Sequence, residues 1–292
     1  MSLLEYALVG GILYGVFFAL VALGLNLIFG VMRMINLAHG QFVLLGGYGA
    51  YLLSHNLHLN PIYGVPLAVL GAIVVGIPLY TVVPRLQKSS DPEMLSFILF
   101  FGVALMIDAV LTALFGADQR SLPQDALGAG NISILGQAFP DSWWVAAAVS
   151  VLSAIGLYLY FTRTRLGFAT RAIMANRDEA LATGIDVGRV SAIAFIMGLA
   201  FAGIAGVFVP YLLGSISPDI GNELTTTSFA VIIIGSLGNP LGTIVGGLVF
   251  GIGTLFMQTY FPSWSNLVPY ALLIIIVLIK PAGLLGRSVR TA

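Results

Sequence analysis

A chain of 292 residues with 59% hydrophobic and only 8% charged residues has too little polar side chain to cover a water-soluble domain, for which about 25% charged is usual. Twelve basic residues balance twelve acidic ones, so the basic footprint of a nucleic-acid-binding protein is absent, and a chain without cysteine has neither a disulfide framework nor a thiolate metal site. Lipid is the solvent this composition fits, because a bundle of membrane helices exposes apolar side chains while satisfying its backbone internally.

Runs of about 20 apolar residues, enough helix to cross about 30 Å of hydrocarbon, can be marked by their charged or proline-rich borders. The opening MSLLEYALVGG has no basic region and leads into an apolar run longer than a signal peptide, so the first span, 3–29, is expected to stay in the membrane. Further spans are predicted at 35–54, 61–84, 93–116, 143–162, 191–213, 224–238, 240–260 and 266–280. The segment 224–238 is short and opens near three threonines, which leaves two readings: a crossing, or a half-helix that dips in and turns at GSLGNPLG. The expected fold class is an all-α polytopic membrane protein, a bundle of about 8–10 transmembrane helices with interruptions, forming one membrane domain over 1–292.

Lysine and arginine collect on the cytoplasmic side of membrane proteins. With nine crossings and the amino terminus outside, Arg33, Arg85, Lys88, Arg163, Arg165, Arg171, Arg177, Arg189, Lys280, Arg287 and Arg290 fall on that side, eleven of twelve. Only Arg120, in the 117–142 loop, lies outside, which favours counting 224–238 as a crossing and places the carboxy terminus in the cytoplasm.

Small residues recur every four positions at Ala194, Gly198, Ala202 and Gly206, and Gly242, Gly246, Gly247 and Gly251 form two more pairs four apart, the spacing of helix-packing seams. No Gly-Lys pair occurs, so there is no phosphate-cradling loop; HExxH and GxSxG are absent, and His39, His55 and His58 are scattered, the last two in a short solvated loop. Polar groups inside spans are the remaining functional candidates. Asp108 is the only acid well inside a predicted span, either a structural group or a coupling-proton site, and Asn26 suits an interhelical hydrogen bond. In LIFGVMRMINLAHGQFVLLGG, Gly30 and Gly40 bracket an expected break, and Gly235 to Gly242, with Asn239, forms a second. Paired interruptions in the two halves of a transporter point to its pathway. Asn36, His39 and Gln41, next to Gly40, are expected to brace or line the inner part of that pathway as hydrogen-bonding groups rather than acid–base catalysts.

The loop 163–190 is too polar to span. It is helix-friendly over 168–183 and stopped by Gly184, with Ile173, Met174, Ala180 and Leu181 on one side and Arg171, Asp178 and Ala182 nearer another. Such a helix lies on the membrane surface or docks in the groove of a partner.

The runs GLNLIFGVMRMINLAHGQFVLLGGYGAY, TRLGFATRAIMANRDEALATGID and VIIIGSLGNPLGTIVGGLVFGIGTLF resemble, in order and spacing, the permease subunits of branched-chain amino-acid ABC importers of the leucine/isoleucine/valine type. The resemblance implies a bacterial inner-membrane subunit that is not an enzyme and binds no cofactor. ATP and Mg would sit on two cytoplasmic ATPases, beside a second homologous permease and a periplasmic substrate-binding protein. It makes 167–184 a coupling helix with Arg171, Asn176, Glu179 and Gly184 at its recognisable positions, and INLAHGQF a hallmark carrying Asn36, His39, Gly40 and Gln41. The wider importer pattern, EAA followed by three residues and glycine, is present only as EALATG from Glu179. Related permeases carry urea or short amides, which stands as an alternative substrate class; an ion-coupled secondary transporter using Asp108 is a second alternative.

Overall fold

The computed structural model describes residues 2–87 and 89–286, so Lys88, Arg287 and Arg290 of the charge pattern lie outside the described residues. In chain order its helices begin with α1 (Ser2–Met32), α2 (His39–His55), α3 (Gly64–Gln87) and α4 (Pro92–Phe115). A hairpin of β1 (Asn131–Ile134) and β2 (Gln137–Pro140) precedes α5 (Asp141–Arg163) and the two short helices α6 (Arg165–Ala175) and α7 (Arg177–Ala182). The chain continues through α8 (Val187–Leu212), α9 (Ile220–Gly235), α10 (Pro240–Tyr260) and α11 (Val268–Ile279).

Among the described residues seven helical segments are long and apolar enough to cross a membrane: α1, α3, α4, α5, α8, α10, and α11 together with the 3-10 turn before it. The chain is therefore a multi-pass, predominantly helical membrane protein. Its boundaries follow capping chemistry. Asp91 accepts from the Met94 amide at 3.1 Å with Pro92 at the first helical position of α4, and Asp186 accepts from the Arg189 amide at 3.0 Å to start α8.

The glycine seams determine which helices meet. Along α1 and α10, Gly10 lies against Leu255, Gly11 against Ile252 and Gly15 against Leu248, so the two run antiparallel with backbones nearly touching. Along α3 and α8 the same relation holds for Gly64 with Val207, Gly203 with Ala68 and Gly76 with Ile196. Gly24 of α1 and Gly198 of α8 then face each other where those two helices cross. Both small-residue stripes are thus packing seams: Ala194 and Ala202 are fully buried, Gly206 presses on the Val43 carbonyl, and Gly247 and Gly251 press on the backbone around Gly15.

A repeat follows from these pairings. α1, an extended stretch, the shorter α2, α3 and α4 correspond to α8, an extended stretch, the shorter α9, α10 and α11. The helix after each short one packs antiparallel to the long helix that opens the other half. α1 begins beside the hairpin, where Tyr6 stacks on Phe139 at 5.3 Å, and ends near α6, where Gly30 meets Met174; α8 starts from the α6–α7 side. The two halves are related with inverted topology.

The short helices and the interruptions differ in detail from the sequence expectation. The helix expected over 35–54 is α2, which starts only at His39 because 33–38 is non-helical, and the one expected over 224–238 is α9, which starts at Ile220. The first interruption is found where expected, at 33–38 between Gly30 near the end of α1 and Gly40 in the first turn of α2. The second is 213–219, not Gly235 to Gly242, which is the tight connection from α9 to α10. Sequence misplaces the second because 214–223, between two expected spans, reads as an ordinary loop, whereas Ile216, Ser217 and Pro218 are buried against protein.

A β-carbon at Gly206 would collide with the Val43 carbonyl, whereas Gly71 faces open space. Gly206→Ala is expected to cost about 1–3 kcal/mol of stability, and Gly71→Ala to leave it unchanged or slightly raised; the thermal midpoints of the detergent-purified variants check this.

Candidate functional site

The site is built where two helices begin inside the membrane. α1 ends at Met32, and Arg33, exposed and with φ of 53°, turns the chain back along its own helix. The Asn36 side chain accepts from the Ala38 amide at 3.1 Å, and the Phe42 amide bonds the Ala38 carbonyl at 3.0 Å, which launches α2. His39 Nε2 donates to the Val21 carbonyl at 2.7 Å. Val21 lies about 17 Å along α1 from its α6–α7 end, roughly half of a hydrocarbon core, so α2 begins near mid-membrane and rises toward the hairpin side.

The first turn of α9 meets the first turn of α2. The Gly40 amide donates to the Thr225 hydroxyl at 2.9 Å, and that hydroxyl lies 3.0 Å from the Gly221 carbonyl and 3.2 Å from the Leu37 carbonyl. The approach is close enough that only glycine fits at two positions: a β-carbon on Gly40 would strike the Gly221 carbonyl, and one on Gly221 would strike the Gln41 amide. α9 then descends toward α6–α7, opposite in direction to α2. Two helix amino termini, each carrying the partial positive charge of its first turn, therefore converge at one depth. The extended stretch that leads into α9 is held by an antiparallel bridge, with Arg120 and Ile216 exchanging backbone hydrogen bonds of 2.8 and 2.7 Å. Arg120 Nη2 also donates to the Phe115 carbonyl at the end of α4, at 2.8 Å.

The structure brings Asn36, His39, Gly40 and Gln41 together, all buried in the interior of one chain. Asn36 Nδ2, His39 Nδ1 and both polar atoms of Gln41 have no hydrogen-bond partner among the described residues. Asn239 is elsewhere, as the cap of α10, accepting from the Gly242 amide at 3.3 Å and donating to the Leu285 carbonyl at 3.4 Å. Asp108 is also apart, half-buried on α4 within electrostatic reach of Tyr48. Asn26 makes the interhelical bonds its position suggests: it donates to the Thr243 hydroxyl and accepts from the Gly238 amide at 2.5 Å.

Sequence reasoning missed the α9 half of the site. Thr225 read as the border of a span, and Asn222 and Glu223 as the loop before it. The signal that could have found them is the run NELTTTSF, polar and helix-compatible between apolar segments of full depth.

On the α6–α7 side, the single helix expected over 168–183 is two. Asn176 ends α6 and caps α7, accepting from the Asp178 and Glu179 amides at 3.1 and 3.3 Å, while its Nδ2 donates to Glu179 Oε1 at 2.6 Å. At the other end Gly184, with φ of 84°, closes a Schellman motif through Gly184 N to Leu181 O and Ile185 N to Ala180 O. Because the helix breaks at Asn176, Ile173 and Ala180 are buried as expected but Leu181 is turned outward, 63% exposed. Arg171 stacks over the exposed Phe168 ring at 5.0 Å. Met174 rests on Gly30, which in turn abuts Gly238, so this surface element touches the end of α1 and the α9–α10 turn.

A protein-family model described as a branched-chain amino acid transport system permease component matches residues 7–277. The chain belongs to this permease family. Over 289 residues it is 28% identical to the high-affinity branched-chain amino acid transport system permease protein LivH of Escherichia coli strain K12, covering 95% of this chain and 94% of that one. The probable branched-chain amino acid transport permease protein LivH of Methanocaldococcus jannaschii is 30% identical over 293 residues, covering 95% and 91%. The permease protein LivM of the E. coli high-affinity branched-chain system is more distant, 23% identical over 295 residues, covering 93% of this chain and 68% of that one. No solved structure matches the chain.

The Thr225 hydroxyl is the polar link between the two half-helices. Thr225→Val keeps its shape but leaves the Gly40 amide buried and unpaired, and is expected to lower stability by about 1–3 kcal/mol, with Thr225→Ser restoring most of it; melting curves of the three proteins provide the check.

Proposed function

We propose that this permease forms half of the translocation pathway of an importer for branched-chain amino acids, powered by ATPase subunits that dock on the 163–190 segment. The observation that carries the reading is the α6–α7 element. It is too polar to cross a membrane, is capped at both ends into a rigid knob, presents Leu181, Phe168 and Arg171 outward, and rests through Met174 on the Gly30–Gly238 contact. A push on such a knob would be passed directly to α1 and to the turn joining α9 to α10.

The chain supplies no nucleotide-binding motif of its own, so hydrolysis of ATP, with its Mg, belongs to separate cytoplasmic subunits. The similarity to both LivH and LivM supports assembly with a second, homologous permease, and substrate delivery by a periplasmic binding protein completes the importer. The arginines of 163–189 and Arg33, all at the α6–α7 end, support placing that end in the cytoplasm by the positive-inside rule, with the hairpin and amino terminus outside and the inner membrane of a bacterium as location. Within this reading the buried cluster of Asn36, His39, Gly40 and Gln41 braces the two half-helices inside the protomer. Asn176 and Glu179 hold the shape of the docking knob, Arg171 lies on its surface, and Gly184 ends it.

The test is reconstitution of the chain with its candidate partners in vesicles: leucine uptake requiring ATP and binding protein supports the reading, and uptake driven by a proton gradient without ATPase defeats it. Asn176→Ala removes the cap of α7, worth about 1 kcal/mol to the helix. It is expected to lower ATP-driven uptake several-fold while leaving membrane insertion unchanged, as measured by initial uptake rates normalised to protein in the vesicle.

A further inference from the structure

The outer surface of the bundle is apolar wherever helices face lipid: Val74 on α3, Leu114 on α4, Leu152 on α5 and Leu278 on α11 are all more than 60% exposed. A patch on α9 departs from this. On α9 the side chains of Asn222 and Glu223 are exposed and Thr226 is half-exposed. They open onto a recess of about 370 Å³ shared with Asn266 and Tyr270 from the start of the last helical segment.

The depth of this patch is what matters. Glu223 lies one turn into α9, between Gly221, which presses on Gln41, and Thr225, which holds the Gly40 amide, and α2 itself starts level with the middle of α1. A carboxylate flanked by a carboxamide and a hydroxyl is thus displayed on the outside of the protomer, well within the membrane. Hydrocarbon is an unfavourable neighbour for it, so this face meets water or a polar partner. The residues lining the recess include one carboxylate and no basic side chain, so its charge is not neutralised locally and a cation is the complement. The Pro269 and Tyr270 side chains offer an apolar wall beside it.

We propose that Asn222, Glu223 and Thr226 are this chain's contribution to the aqueous lining of the translocation pathway, and that Glu223 takes the ammonium group of the amino acid as it passes mid-membrane. The inference rests on the transport function proposed above and adds to it the residue that recognises the cationic end of the substrate. The outward face of α9 thereby differs in role from its inward face: Gly221 and Thr225 lock the fold, and Asn222, Glu223 and Thr226 serve the substrate.

The absence of cysteine makes the test direct, since any introduced thiol is the only one in the chain. In membrane vesicles holding the complete assembly, Thr226→Cys is expected to react with a charged, membrane-impermeant methanethiosulfonate reagent, and Leu278→Cys is not. In the reconstituted complex, Glu223→Gln is expected to lower binding-protein-dependent leucine uptake at least tenfold while the complex still assembles and hydrolyses ATP, with Glu223→Asp recovering part of the rate. An unreactive Thr226→Cys, or Glu223→Gln transporting like the wild type, overturns the proposal and leaves the importer reading standing. A wild-type assembly that shows no uptake dependent on ATP and binding protein overturns the importer reading itself, and the proposal with it.

Discussion

The constraint on which this fold depends is that backbone amides inside a membrane have no water to bond. A helix that begins at mid-depth exposes its first amides there, and they must find partners within the protein. The solution here is reciprocal. α2 and α9 start at the same level and run apart, the Thr225 hydroxyl accepts the Gly40 amide, and Asn36 accepts the amide of Ala38 just ahead of α2. Glycine at 40 and 221 is required because the two first turns approach more closely than any side chain permits. Much of the remaining architecture holds these heads together: α1 and α8 cross at Gly24 and Gly198 beside His39, and the extended approaches 33–38 and 213–219 lie against the protein interior.

The polar residues thus divide by task. Asn26 secures the α9–α10 turn to α1, Arg120 secures the approach to α9, and His39 secures the start of α2 to the middle of α1. Each holds a helix end or an irregular segment to a neighbouring element. That distribution explains why a chain with 8% charged residues still keeps so many carboxamides and hydroxyls in its core: they replace the hydrogen bonds that helix would have supplied.

Much of this was legible in the sequence. Full-length helices announce themselves by apolar length, and the two small-residue stripes proved to be seams because close backbone approach leaves no other choice of residue. The cluster of Asn36, His39 and Gln41 stood out because polar groups among leucines need a reason. The half-helices were harder. Buried non-helical backbone carries the same apolar side chains as buried helix, so 35–38 merged into the span that follows, and 213–219 read as a surface loop although Ile216 and Ser217 are buried. The partner of Gly40 lies 185 residues away in α9, and no local pattern joins them. The break at Asn176 was visible only as a favourable capping residue in a stretch otherwise fit for one continuous helix.

The inverted relation of the two halves has a consequence for α5. α4 ends on the hairpin side, whereas α8 must start from the opposite side for α9 to run against α2. One additional pass between the halves is enough to achieve this, and α5 is that pass. Were it missing, both halves would enter the bilayer in the same orientation and the heads of α2 and α9 would point the same way. α5 has no counterpart in the repeat, yet by an odd count of crossings it turns two similar four-helix units into a face-to-face pair.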